Sequence, residues 1–200
     1  MTTRRLFLPG ASGDAQIWRP LSGLLPAANS RFISWPGLGN QPHDPAITGF
    51  DDLIALAESH IGDGQVDIFA QSMGGVIALH LARKYPEKIR KLVLAVTSGG
   101  FDMSGIDRFN WRPDYRRTFP DAARWIIDYV PPAETDLPDV TQACLLLFGD
   151  NDPISPVETG HRLKSILPDA ELHILSGGAH DLISTHAVEI APLVKDFLTA

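Results

Sequence analysis

The chain has 200 residues, enough to bury one sizeable core and too few for two of ordinary size. It is 44% hydrophobic and 20% charged with a mean hydropathy near zero, a balance that excludes disorder. Seventeen Lys and Arg against 24 Asp and Glu leave a formal charge of -7 and a pI near 5.4, so no positive field is present to hold nucleic acid or an anionic membrane, and neither is expected as a partner.

Short apolar runs at residues 5–8 and 31–35 open the chain and read as strands, each closed by Gly, Pro, Asp or Ser. Phe50, Leu53, Ile54, Ala57 and Ile61 then form the stripe of an amphipathic helix, a core signature rather than a functional one. A strand over 66–70 leads into a helical run as far as Tyr85, and 91–96 forms a further strand. Its unbroken Leu92-Val93-Leu94-Ala95-Val96 fits a strand covered on both faces. After a long interval come strands at 143–148 and 171–175, and a second amphipathic stripe runs through Ala187, Ile190, Ala191, Val194 and Leu198. Strands alternating with helices predict an α/β fold: a doubly wound, mostly parallel sheet of about six strands with helices on both faces. Residues 1–200 read as a single domain.

The long interval is the exception. Residues 99–140 exceed what a helical crossover needs and read as a short helical lid insertion. Seven of the chain's 16 aromatics fall between 101 and 130, with five Arg against five Asp. Those rings either fill a small core of the insertion's own or face a pocket, and Phe101, Trp111 and Trp125 are the candidates for substrate contact. Pro131-Pro132 is the only linker-like mark, and there are no internal repeats.

The single cysteine, Cys144, can form no disulfide within the chain and has no ligand-spaced companions, so neither a structural zinc nor any other metal is expected. No apolar run nears the roughly 20 residues of a membrane span. The opening Met1-Thr2-Thr3-Arg4-Arg5 has no targeting character, and a cytoplasmic protein is expected.

The strongest chemical signal is Ala70-Gln71-Ser72-Met73-Gly74, where an apolar strand turns sharply into a helix. Small residues two positions either side of a serine permit so tight a turn, which lifts the hydroxyl above the sheet edge. Ser72 is the candidate nucleophile, and the Met73 amide, at the helix N-terminus, is a candidate oxyanion donor.

With this motif the chain resembles the α/β-hydrolase superfamily from Leu6 to Leu198, with Ala70 standing for the first glycine of the usual G-x-S-x-G. The resemblance implies a histidine base and an orienting acid in the order Ser, Asp, His. Gly149-Asp150-Asn151-Asp152-Pro153-Ile154-Ser155-Pro156 matches a G-x-x-D-x-x-x-P string and makes Asp152 the acid, with Asp150 as rival. Ser176-Gly177-Gly178-Ala179-His180 follows the last strand and makes His180 the base, with His186 as runner-up and His43 at the pocket rim. In relatives a His-Gly pair precedes the second oxyanion donor. Here Leu8-Pro9-Gly10-Ala11 places Pro9 at the histidine position and makes the Ala11 amide the donor, leaving open what braces that loop. The second strand should lie at the sheet edge.

The implied activity is cofactor-free hydrolysis of a small carboxylic ester or thioester by a Ser-His-Asp triad through an acyl-enzyme. The same scaffold also serves acyl transfer, C–C bond hydrolysis or perhydrolysis, and a ligand-binding protein without turnover is the reading from another class.

Overall fold

The computed structural model describes residues 4–97, 100–130 and 137–200. Residues 1–3, the start of the expected insertion at residue 99 and the Pro131-Pro132 mark lie outside the described residues.

In chain order the elements are β1 (Arg4–Leu8), α1 (Arg19–Leu24), β2 (Asn29–Phe32), α2 (Phe50–Glu58), β3 (Val66–Gln71), α3 (Met73–Lys84) and β4 (Ile89–Ala95). They continue as α4 (Arg112–Thr118), α5 (Trp125–Asp128), β5 (Ala143–Gly149), α6 (Val157–Ile166), β6 (Ala170–Leu175), α7 (Leu182–Thr185) and α8 (Ala187–Thr199). The six strands form one sheet in the order β2-β1-β3-β4-β5-β6, every pairing parallel.

Alternation along the strands sorts the core into two layers. Leu6, Ile68, Leu92, Leu94, Leu146 and Phe148 face one side with α2, α3 and α6. Phe7, Phe69, Val93, Leu145, Leu147 and Leu175 face the other with α1, α7 and α8. Successive strand side chains point to opposite faces, so a central strand covered on both faces is buried along its whole length, as β3 is; its apolar stretch is Ile68-Phe69-Ala70, and its buried Asp67 is paired with Arg90 at 2.6 Å. All five positions of the expected α8 stripe are buried, whereas in the α2 stripe Ile54 is half-buried and Ile61 lies past the helix end at Glu58. In α2 the buried positions are Phe50, Leu53 and Ala57, and the Asp52 carboxylate accepts from the Thr48 and Gly49 amides at the helix start, where it offsets the exposed N–H groups.

β2 lies at the edge, as expected, but its span differs. The apolar pattern suggested 31–35, whereas the ladder ends at Phe32. The Ile33 amide still donates to the Phe7 carbonyl at 3.1 Å, and then the chain peels away. The Trp35 amide bonds the Gly13 carbonyl at 2.8 Å and its indole bonds the Pro9 carbonyl at 2.8 Å. Trp35 is thus buried by packing beneath a loop rather than by strand pairing.

The register brings Leu8, Ala70, Leu94, Leu146 and Leu172 abreast, so the loops leaving β1, β3, β4, β5 and β6 emerge on one edge. The chain goes from β1 outward to β2 and then returns to the opposite side of β1 with β3. That reversal opens a crevice at the strand ends, where ligands of open parallel sheets bind.

Cys144 is buried in β5, and burial together with the Asp169 charge pushes its thiol up to about 12. A raised value keeps the thiol protonated and unreactive at neutral pH. The folded protein should give no reaction with a disulfide reagent at pH 8 over an hour, and one thiol per chain in 6 M guanidinium. Prompt labelling of the native chain would contradict this burial.

Candidate active site

β3 hands the chain to α3 through one residue. Ser72 has φ 52° and ψ −121°, a region that a side chain occupies at a cost of about 1–3 kcal/mol. Its neighbours hold it there. The Ser72 amide donates to the Ala95 carbonyl at 2.9 Å, and its own carbonyl accepts from the Gly75 amide at 2.9 Å and from Thr97 Oγ1 at 2.6 Å. Gly74 is required by close approach, because a Cβ there would sit 2.6 Å from the Pro9 carbonyl oxygen. With its backbone occupied, Ser72 has one group left to offer, the hydroxyl.

His180 lies on the loop between β6 and α7. Its Nε2 is 3.0 Å from Ser72 Oγ, and its Nδ1 is 2.7 Å from Asp152 Oδ2. Asp152 is fully buried at the side chain while His180 is a quarter exposed. The other Asp152 oxygen accepts from the Ile154 and Ser155 amides at 2.9 and 3.2 Å. A carboxylate can only accept, so Nδ1 carries the proton and Nε2 turns its lone pair to the serine hydroxyl. The separation from Ser72 is within proton-transfer reach.

The alternatives lie elsewhere. Asp150 is exposed, and its Oδ1 accepts from the Gly177 amide at 2.6 Å, lacing the loop after β5 to the loop after β6. His186 sits beside Thr185 Oγ1 at 3.0 Å. His43 Nε2 bonds the Asp121 carbonyl at 2.8 Å and does not line the cavity.

Met73 begins α3, so its amide has no carbonyl one turn earlier to donate to, and Met73 and Ala11 both line the cavity beside Ser72. The question of what braces the Ala11 loop has a definite answer. The Gly10 amide donates to Gln71 Oε1 at 2.7 Å, Trp35 Nε1 to the Pro9 carbonyl at 2.8 Å, the Gly13 amide to the Gly10 carbonyl at 3.1 Å, and the Tyr115 hydroxyl to the Ala11 carbonyl at 2.8 Å. Gln71 is buried, and its Nε2 also donates to the His180 carbonyl at 2.9 Å. One side chain therefore ties the loop after β1 to the loop that carries His180.

Above these groups is a cavity of about 640 Å³, a volume suited to a small organic ligand. Its walls are mainly apolar and come largely from the segment between β4 and β5. Trp111 lines it, together with Phe109, Tyr115, Phe119 and Tyr129. Phe101 and Trp125 do not: Phe101 is buried in the core with Arg162 over its ring, and Trp125 packs against the same core. The aromatic group is thus divided between cavity wall and packing. Phe50, at the start of α2, stacks on Tyr129 with ring centroids 4.3 Å apart, and the Phe109 amide donates to the Pro153 carbonyl at 2.7 Å. The Ala123 amide bonds the Gly37 carbonyl at 2.7 Å. Arg108 and Arg112 also line the cavity. The Arg112 guanidinium bonds the carbonyls of Ile127 and Tyr129 at 2.8 and 3.0 Å, and burial and the nearby Arg108 charge hold its pKa below the ordinary arginine value.

Sequence reasoning did not single out Gln71 or Tyr115. Gln71 carried a faint signal, being polar at the end of a strand that is otherwise covered on both faces. Tyr115 carried none, since its partners Ala11 and Gly39 lie more than 70 residues away.

Among the described residues, no group of three or more His, Cys, Asp and Glu could hold a metal, and no helix is long and apolar enough to cross a membrane.

A family model described as alpha/beta hydrolase matches residues 6–134. The chain is 28% identical to a pimeloyl-acyl-carrier-protein methyl ester esterase of Aromatoleum aromaticum, with 96% of each chain covered. It is 26% identical to a poly(3-hydroxyalkanoate) depolymerase of Ectopseudomonas oleovorans, covering 82% of this chain and 72% of that one. Identity to a 2-hydroxymuconate semialdehyde hydrolase of Pseudomonas putida is 27%, over 98% of this chain and 77% of that one. In fold it is similar to a bromoperoxidase of Bacillus anthracis, with a TM-score of 0.78 at 19% identity over 100% of this chain and 93% of the other. A thermophilic esterase of Thermogutta terrifontis gives a TM-score of 0.74 at 18% identity, over 98% and 89%.

Proposed function

The chain belongs to the alpha/beta hydrolase family, and from that membership we propose that it hydrolyses small carboxylic esters or thioesters through an acyl-enzyme on Ser72. The observation that carries this reading is the hydrogen-bonded line from buried Asp152 through His180 to Ser72, set on the floor of an apolar cavity. In the first step Ser72 Oγ attacks the carbonyl carbon while His180 Nε2 takes its proton, and the carbonyl oxygen gains negative charge. The amides of Met73 and Ala11 are the donors proposed for that charge. The tetrahedral adduct collapses, the bond to the leaving oxygen or sulfur breaks, and the imidazolium returns the proton to the departing alcohol or thiol. Water then attacks the acyl-serine with His180 again accepting a proton, releasing the acid and restoring the serine. Asp152 holds the tautomer and opposes the imidazolium charge.

The segment at 99–140 acts in this reading as a lid whose inner rings, Trp111 among them, select the acyl or alcohol group. Each methylene buried against those walls contributes about 0.8 kcal/mol, roughly a fourfold gain in kcat/KM, until the space is full. On p-nitrophenyl esters of graded length kcat/KM should therefore climb from acetate to about butyrate or hexanoate and then fall. A peak on long-chain esters, or no dependence on chain length, would remove the small apolar pocket. A fluorophosphonate probe run beside the panel tests the serine itself and separates turnover from ligand binding alone.

Arg108 and Arg112 on the cavity wall favour a second reading, an ester whose acyl chain ends in a carboxylate. A half-ester preferred over its neutral isostere, with the preference abolished in Arg108→Gln, would select it.

A further inference from the structure

The oxyanion donor proposed for the loop after β1 is the Ala11 amide, which belongs to the peptide joining Gly10 to Ala11. That peptide has a bond on its other side and clamps on both neighbours. The Gly10–Ala11 carbonyl accepts from the Gly13 amide at 3.1 Å. The preceding peptide is held at both ends, by Trp35 Nε1 on the Pro9 carbonyl and by Gln71 Oε1 on the Gly10 amide. A Cβ on Gly10 would meet Gln71 Oε1 at 2.5 Å, so the clamp also requires glycine there. The following peptide is held through its Ala11 carbonyl by the Tyr115 hydroxyl.

Tyr115 differs from the other clamps in where it comes from. It lies on α4, within the segment between β4 and β5, and it is the one clamp not contributed by the sheet and its immediate loops. Its hydroxyl accepts from the Gly39 amide at 2.8 Å while donating to the Ala11 carbonyl at 2.8 Å, so the loop after β1 and the loop after β2 end on one oxygen. Its ring meets Trp111 edge-on at 5.4 Å and Phe119 at 5.0 Å, and all three rings line the cavity. Burial raises the phenol above its ordinary value, which keeps the hydrogen available to donate.

We propose that Tyr115 is a positioning residue that fixes the orientation of the Ala11 amide, so that oxyanion stabilisation depends on the insertion being docked against the loop after β1. This rests on the Ser72 hydrolase reading. The physical reason is the steepness of donor geometry. A hydrogen bond weakens sharply as its angle falls from linear, and an oxyanion donor acts only if it already points at the oxygen when charge develops. A peptide free to tilt would still bind an ester in its ground state, where the carbonyl oxygen carries little charge, and would fail mainly at the tetrahedral stage. The same arrangement makes an acyl group that packs against Trp111 and Phe119 press on the ring that holds the donor.

The test is Tyr115→Phe in the full chain, with a melt confirming that it is folded. The expected result is a fall in kcat of about tenfold with KM within twofold, a fraction of the 10²–10³ that removal of a whole donor costs. Inhibition should separate in the same way. An aliphatic trifluoromethyl ketone, which adds Ser72 Oγ to its carbonyl carbon and leaves an oxyanion, should bind about tenfold more weakly. The alcohol of the same chain length, which forms no oxyanion, should bind within twofold of wild type. A merely structural loss would weaken both inhibitors together and overturn the proposal, as would a Tyr115→Phe enzyme with wild-type kcat. Were the variant not folded, 3-fluorotyrosine at position 115 would replace it, changing hydroxyl acidity at nearly constant volume. Ketone affinity should then shift while alcohol affinity holds, and no shift would count against the proposal. Failure of the underlying reading has a separate signature, a wild-type chain in which the fluorophosphonate does not label Ser72 and the ketone does not bind.

Discussion

Ser72→Ala is expected to lower kcat by roughly 10³-fold or more, equivalent to about 4 kcal/mol of lost transition-state stabilisation, and to shift the melting temperature by no more than a few degrees. The two halves of that expectation come from different atoms. Activity rests on Oγ, which is the atom within 3.0 Å of His180 Nε2. The fold rests on the backbone, where the Ser72 amide and carbonyl are tied to Ala95, Gly75 and Thr97, and alanine keeps all three bonds. Serine and alanine carry the same penalty at φ 52°, since each has a Cβ, so the strained turn is no more costly in the variant. Steady-state kinetics and a circular-dichroism melt on the same preparation check both halves. Turnover within tenfold of wild type would remove Ser72 as nucleophile, and an unfolded variant would mean that the hydroxyl has a packing role not visible in its contacts.

Asp152→Asn is expected to cost about 10⁴ in kcat, and Asp150→Asn less than about threefold. Asparagine at 152 has the size of aspartate, and its carbonyl oxygen can go on accepting from the Ile154 and Ser155 amides. The loop should therefore keep its shape. What then faces His180 Nδ1 is an amide NH₂, a donor, which requires Nδ1 to accept and moves the ring proton to Nε2. A protonated Nε2 cannot take the serine proton, so the base is lost although every atom is nearly in place. At Asp150 no ring depends on the side chain. The Gly177 amide needs only an acceptor, and the asparagine carbonyl supplies one. Kinetics of the two variants side by side decide the matter, and the reverse ranking would transfer the acid role to Asp150.

How much of this was legible in the sequence depends on how local the information is. The strands β3, β4 and β5 are near-continuous apolar runs because both of their faces are covered, and that property is written in consecutive residues. Ser72, Asp152 and His180 each follow their own strand, and a parallel sheet brings such positions to one edge; it was the resemblance to the α/β-hydrolase superfamily that singled them out. β2 was displaced in the reading because Ile33 and Trp35 are apolar for a reason that is not strand pairing, and composition does not separate the two. Phe101 and Trp125 were grouped with Trp111 since aromatic density does not tell which way a ring points. The clamps on the Ala11 loop were beyond reach for a stronger reason. Tyr115 is a tyrosine among aromatics, and its role is set by Ala11 and Gly39, residues 104 and 76 positions away. Pro9 in the histidine position did signal that bracing had to come from somewhere else, though not from where.

The bonds from Phe109 to Pro153, from Ala123 to Gly37 and from Tyr115 to Ala11 and Gly39 fasten the segment between β4 and β5 to three different loops, those after β5, β2 and β1. Lifting that segment as one rigid flap would break all of them at once and wet the rings that line its inner side. Traffic of substrate and product is then a matter of rotamers at the rim, where Arg108 and the half-exposed Phe109 stand. Side chains of that kind reorient in nanoseconds or faster, against microseconds to seconds for the opening of a lid. On the hydrolase reading proposed above, passage in and out should accordingly leave the chemical steps in control of the turnover rate for small esters.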